Sequence, residues 1–296
     1  MDKKKILIDA STVTSQVDGL SHCIINLVKY LPEESFERFE YTVLINKGLQ
    51  RKALTDLLAD PRIHVMEERI APIGPKRDWN MFWFLRKYQK QFDLVHITSN
   101  NYPFALKNGI GTVTDITFKQ FFDNPRFTFN LAPFYMDKVI RNALKKTRAI
   151  IAISHATKAD LIKTYQLNEK TSNKIEVVHL GWEHLVNEKA ADTKGCDQGL
   201  LVTENFLLYV GTFRIHKNIS NLLLSFRKAM DSLPPEKKLV VIGSDKHLKP
   251  NDADVIRDIN RNGKRVIFTG YLPQGGVAGY FQLAGFFDGD VREFHD

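Results

Sequence analysis

At 296 residues the chain exceeds what one ordinary hydrophobic core holds, since cores stop growing near roughly 250–300 residues, so two lobes are expected. With 43% hydrophobic and 26% charged residues it is not composed like a disordered chain, and no apolar run nears the ~18–20 residues of a membrane span. Two cysteines, Cys23 and Cys196, with no CxxC pair exclude a disulfide scaffold or a zinc ribbon.

The net charge of +8 is uneven: residues 1–195 carry 29 Lys and Arg against 22 acids, and residues 196–296 carry 13 against 12. A basic first part suits an anionic partner (nucleotide, phosphorylated substrate, anionic membrane surface or nucleic acid), and equally a solvated surface. The basic start at 1–5 precedes an apolar stretch shorter than the ~7–15 residues of a signal peptide core, so a cytoplasmic protein is expected.

In chain order, residues 6–9, 41–45, 63–66, 94–97, 111–114, 149–153 and 174–179 read as strands. Most are near-continuous apolar runs, as in parallel strands covered on both faces. Amphipathic stretches at 20–30, 50–60, 80–91, 130–146 and 156–165 alternate with them, which argues for a doubly wound α/β lobe. A polar, aperiodic stretch at 187–204 reads as a linker, dividing a domain of residues 1–195 from one of residues 196–296. The pattern then restarts with strands at 206–210, 239–242 and 265–269 and helices at 218–230, 253–262 and 274–284. Three strands are fewer than the four to six usual in an open α/β sheet, so the second lobe reads as incomplete.

Five places carry candidate chemistry. The loop after the first strand holds Gly19 beside a helix expected to open at Ser21, where backbone can approach an anion; an ordinary turn fits too. Asp115 in Thr-Val-Thr-Asp-Ile-Thr follows a strand end and would either orient a hydroxyl or cap a turn. Ser154 is placed to cap the next helix. In Tyr-Val-Gly-Thr-Phe-Arg-Ile-His-Lys-Asn, Gly211 ends a strand, Arg214 and Lys217 supply cations, and Asn218 caps a helix, which favours a diphosphate site without a Walker loop over a plain turn. Gly243, Ser244, Gly270 and Tyr271 lie at strand ends that suit a nucleobase pocket.

The order of these motifs, above all Ile-Ala-Ile-Ser-x-Ala-Thr-Lys-x-Asp-Leu and Tyr-Val-Gly-Thr-x(4)-Lys-Asn, resembles retaining glycosyltransferases of family 4 with the GT-B fold. It is nearest the bacterial mannosyltransferase-like group that builds O-antigen and capsule. The resemblance implies two Rossmann-like lobes, an acceptor mainly on the first, and a nucleotide-sugar mainly on the second. The expected donor is GDP-mannose, the acceptor is a saccharide or lipid-linked, and neither cofactor, metal nor specific nucleic acid is needed. Lys217 then holds the donor diphosphate, Gly19 lies near donor phosphate and acceptor, and Asp115 lies near the sugar as the catalytic candidate.

Three departures stand out. Thr114 replaces the family's usual His, and His216 replaces an Arg. The family's Glu-x7-Glu segment has no counterpart after residue 284, where Glu293 is the one glutamate, so a truncated chain with weak or absent transfer is expected. A noncatalytic degenerate transferase that acts as a binding or assembly partner stays open beside the enzyme. At the surface, residues 80–90 mix aromatic and basic side chains, which suits either an anionic lipid surface or a packed helix with solvated cations.

Overall fold

In a computed structural model, residues 3–14, 19–49, 54, 58–121, 131–181, 206–211, 217–243, 248–270, 272 and 274–284 are described. The chain divides into two units, Met1–Leu180 and Gly181–Asp296. The expected linker at 187–204, and with it the 195/196 boundary, lies outside the described residues.

Seven parallel strands form the first sheet: β1 (Lys4–Asp9), β2 (Phe39–Asn46), β3 (Ile63–Glu68), β4 (Leu94–Ile97), β5 (Ile110–Val113), β6 (Ala149–Ala152) and β7 (Ile175–Val177). Their order is β3-β2-β1-β4-β5-β6-β7. Ile8 of β1 sits opposite Val43 of β2 and His96 of β4. Each expected strand is present, with ends shifted by one or two residues, because apolar runs locate a strand better than its ends.

Successive side chains of a strand face opposite ways, so both faces of this sheet need cover. Leu7, Leu44 and Ile97 pack on one face with Met81, Phe84, Leu85 and Val139. Ile8, Val43 and Ile45 pack on the other with Ile24, Ile25 and Val28. The covering helices are α1 (Gly19–Ser35), α2 (Pro75–Tyr88), α3 (Ala132–Lys146) and α4 (His155–Tyr165). Two of them differ from the sequence reading. Helix α1 runs on through a buried Pro32 to Ser35. Helix α2 starts five residues early because Gly74, at φ 84°, turns the chain and Pro75 fills the first helical position, where its missing N–H costs nothing.

The second unit has three parallel strands among the described residues, β8 (Phe206–Val210), β9 (Lys238–Ile242) and β10 (Val266–Gly270), in the order β10-β9-β8. Leu239 and Val241 pack with Leu223, Phe226 and Ile259 from α5 (Ile219–Ala229) and α6 (Pro250–Ile259). Val240 and Ile242 turn to the opposite face, against Phe206 and Tyr280 of α7 (Gln274–Leu283). Each unit thus has its own two-sided core.

Candidate functional site

Because all seven strands run parallel, their carboxyl ends share one edge. Chain order reverses between β1 and β4, and α/β sheets place ligands in the crevice beyond such a reversal. A buried polar cluster occupies this position. Asp9, at the end of β1, is 0% exposed and pairs with Nη2 of Arg77, 1% exposed, from the first turn of α2. Arg77 Nη1 also donates to Ser11 Oγ at 2.9 Å, and Ser11 Oγ donates to Asp9 Oδ1 at 2.5 Å. Just past β4, Thr98 Oγ1 donates to the Asp9 carbonyl at 2.5 Å.

Sequence reasoning missed this cluster. Its signal was available: Arg77 stands on the same helical stripe as the buried Met81, Phe84 and Leu85, and a cation on a buried stripe requires a buried acid. The pair ties the loop after β1, which leads to Gly19, to the helix that covers the sheet.

Beside it, His96 of β4 is buried and its Nε2 lies 2.8 Å from Thr112 Oγ1 on β5. Burial disfavours the imidazolium and pulls its pKa from 6.5 to about 4, against a smaller upward pull from Asp9. The folded state therefore holds His96 neutral while the unfolded chain takes up a proton below about 6.5. Stability is fully present above that pH and falls as pH drops toward 4, by about 3 kcal/mol in all. Thermal melts between pH 7 and 4.5 are expected to show this acid limb, and His96→Gln to flatten it. An unchanged limb in the variant would assign the acid sensitivity to the carboxylates instead.

Further along the edge, loops from β4, β5 and β6 are stitched together. Asn100 Oδ1 accepts from the Thr114 amide at 2.9 Å, and its Nδ2 donates to the Asp115 carbonyl at 2.9 Å. Thr157 Oγ1 of α4 donates to the Thr114 carbonyl at 3.0 Å. Asp115 itself is exposed, and its Oδ1 accepts from Thr117 N at 2.9 Å and Thr117 Oγ1 at 2.7 Å. The turn-capping alternative is therefore realised, and the carboxyl group keeps further lone pairs to offer. Ser154 caps α4 as expected, its Oγ accepting from Thr157 N at 3.0 Å. Gly19 is the first residue of α1, two positions before Ser21, and among the described residues nothing lies within 4 Å of where its Cβ would be.

In the second unit, three glycines stand at neighbouring strand ends. Gly243 has φ 144°, and a Cβ there would lie 1.8 Å from the Gly211 carbonyl oxygen. Gly211 N donates to Ile242 O at 2.9 Å, and Gly243 N donates to the carbonyl of Gly270, whose φ is 72°. Lys217 is exposed just before Asn218, the N-cap of α5. The expected cap at Asn218 is corrected: the residue holds the N-cap position in the left-handed region (φ 54°), and its side chain makes no capping bond. Arg214, His216, Ser244 and Tyr271 lie outside the described residues, as do residues 285–296 with Glu293.

Among solved structures, the chain resembles Anabaena HepE in complex with UDP and glucose, with TM-score 0.65 and 16% identity over 95% of this chain and 72% of that one. It resembles WaaG, a glycosyltransferase involved in lipopolysaccharide biosynthesis (TM-score 0.59, 14% identity, 94% and 72% covered). A putative UDP-N-acetylglucosamine 2-epimerase from Listeria monocytogenes is also similar (TM-score 0.54, 12% identity, 96% and 73% covered). Identities this low establish the fold alone, the α/β architecture of GT-B glycosyltransferases. No curated protein sequence matches the chain. The sequence family described as Glycosyltransferase Family 4 does match, over residues 17–183, which is more than half of the chain and takes in most of the first unit. The chain belongs to Glycosyltransferase Family 4.

Proposed function

We propose that the chain transfers a hexose from a nucleoside diphosphate sugar to a hydroxyl of a saccharide or lipid-linked acceptor, with retention of configuration, in surface polysaccharide synthesis. Family membership across residues 17–183 carries the reading. Lys217, exposed just ahead of α5 in the second unit, supports it as a cation offered to a phosphate.

In this reading Gly211, Arg214 and Lys217 bind the donor diphosphate, and Gly243, Ser244, Gly270 and Tyr271 border the base. The two cations offset charge that develops on the departing diphosphate, the main electrostatic demand of such a transfer. Asp115 engages a sugar or acceptor hydroxyl, and the open space at Gly19 admits donor phosphate or acceptor. The donor is GDP-mannose, with UDP-glucose as its competitor because HepE is seen with UDP and glucose. Peripheral contact with an anionic membrane, where a lipid-linked acceptor resides, belongs to the same reading.

Calorimetric titration with GDP-mannose and UDP-glucose tests it. One donor is expected to bind, and Lys217→Ala to weaken it about 10- to 100-fold, the worth of one hydrogen bond to a charged group. A folded chain that binds neither sugar nucleotide would favour the noncatalytic binding or assembly role.

A further inference from the structure

Helix α2 is two-faced in an unusual sense. Its inner face, Met81, Phe84 and Leu85 with Arg77, is buried in the first unit. On its outer face Trp79, Phe82 and Trp83 are 63%, 40% and 51% exposed. These three recur at helical spacing and hold one another: Trp79 and Trp83 meet edge to face at 5.8 Å, Phe82 and Trp83 at 5.3 Å. Arg86 follows one turn on, its guanidinium 6.0 Å from the Trp83 ring. Lys76 and Lys87 are exposed on the same helix.

We infer that this face is a docking surface for an anionic phospholipid bilayer. Docking there deepens the membrane part of the functional reading and does not depend on sugar transfer. Three exposed aromatic rings in mutual contact form one contiguous apolar patch of roughly 300–400 Å², the size of the largest patch on a typical monomer and one that is often functional. Their identity is specific: indole rings favour the boundary between headgroups and acyl chains, having an apolar body and a donor at the rim. The cations around them match anionic headgroups. The helix's one acid, Asp78, is engaged with the protein, where Tyr135 Oη donates to it and so does the Phe104 amide at 3.2 Å, so the cations on the helix outnumber it. Glu68 offsets part of the Lys87 charge.

A second copy of the chain is the poorer occupant. Pairing the same face across a twofold axis sets Lys76, Arg86 and Lys87 against their own like charges. A spanning role is also out, since the 14 residues of α2 reach only about 21 Å and no described helix is long and apolar enough to cross a membrane.

The test uses the whole chain with a Trp182→Phe substitution, so that indole emission reports only Trp79 and Trp83. Vesicles of phosphatidylglycerol with phosphatidylcholine are expected to sediment the protein and shift its emission to shorter wavelength; phosphatidylcholine alone is expected to do so at least tenfold more weakly. Arg86→Glu with Lys87→Glu lowers partitioning into the anionic vesicles by more than about tenfold. Phe82→Ala, which leaves both reporters in place, weakens it by a few-fold. Circular dichroism checks that the variants fold, and the sugar-nucleotide titration, run in parallel, separates loss of docking from loss of donor binding. No sedimentation, equal binding to neutral vesicles, or variants that bind like the parent would each overturn the inference. So would a lipid-independent dimer that Phe82→Ala dissociates.

Discussion

Arg77→Met is expected to destabilise the first unit by about 3–5 kcal/mol, because it leaves the Asp9 carboxyl without its partner in a site with no exposure at all. In a unit of this size that lowers the melting temperature by roughly 6–20 °C. Both the charge and the shape of the guanidinium matter. It reaches Asp9 and Ser11 with different nitrogens, which a lysine ammonium cannot reproduce, so Arg77→Lys should recover only part of the loss. Arg77→Met combined with Asp9→Leu removes both charges and should cost less than Arg77→Met alone, as replacing a whole buried pair usually does. Calorimetric melting of the four proteins measures this. A single variant within about 2 °C of the parent would mean that water already reaches the pair.

Gly243→Ala is expected to cost at least about 3 kcal/mol, confined to the second unit. Two effects add. At φ 144° an L side chain is strained, and its Cβ would stand 1.8 Å from the Gly211 carbonyl oxygen. The obstacle is backbone, so rotamer changes give no relief, and the turns after β8 and β9 must separate. Gly211 stands at the end of β8, so the proposed sugar-nucleotide binding should fall with stability. Gly19→Ala is the control: among the described residues nothing lies within 4 Å of the added methyl, and stability should hold. If donor affinity alone drops in Gly19→Ala, the space there serves a ligand. Urea melts followed separately for each unit distinguish these outcomes, and a Gly243→Ala protein as stable as the parent would show that the two turns can move apart freely.

Much of the fold was legible because the first sheet is buried on both faces. Its strands then read as apolar runs such as Leu7–Ile8 and Val43–Ile45, with no need to know their neighbours. Local capping was legible for the same reason: Ser154 bonds an amide only three residues on. Helix ends were less so. Asn218 is a good capping residue by type, yet the turn it occupies puts it in the left-handed region, where its side chain makes no such bond.

What escaped the sequence depends on partners far apart in the chain. Asp9 and Arg77 are separated by 68 positions, and only the packing of α2 across the sheet brings them together. Gly211 and Gly243 each look like ordinary strand ends until β8 and β9 pair and leave no space for a Cβ. Trp79, Phe82 and Trp83 could have faced the core, and burial of Met81, Phe84 and Leu85 decided that they face out. Sequence alone therefore determined the class of fold, the strand order along the chain and the residue types offered at the edge. The tertiary structure decided which of those residues are buried pairs, close backbone contacts or exposed surface. Local propensity acts over a few residues, whereas desolvation and excluded volume depend on whatever the folded chain places alongside.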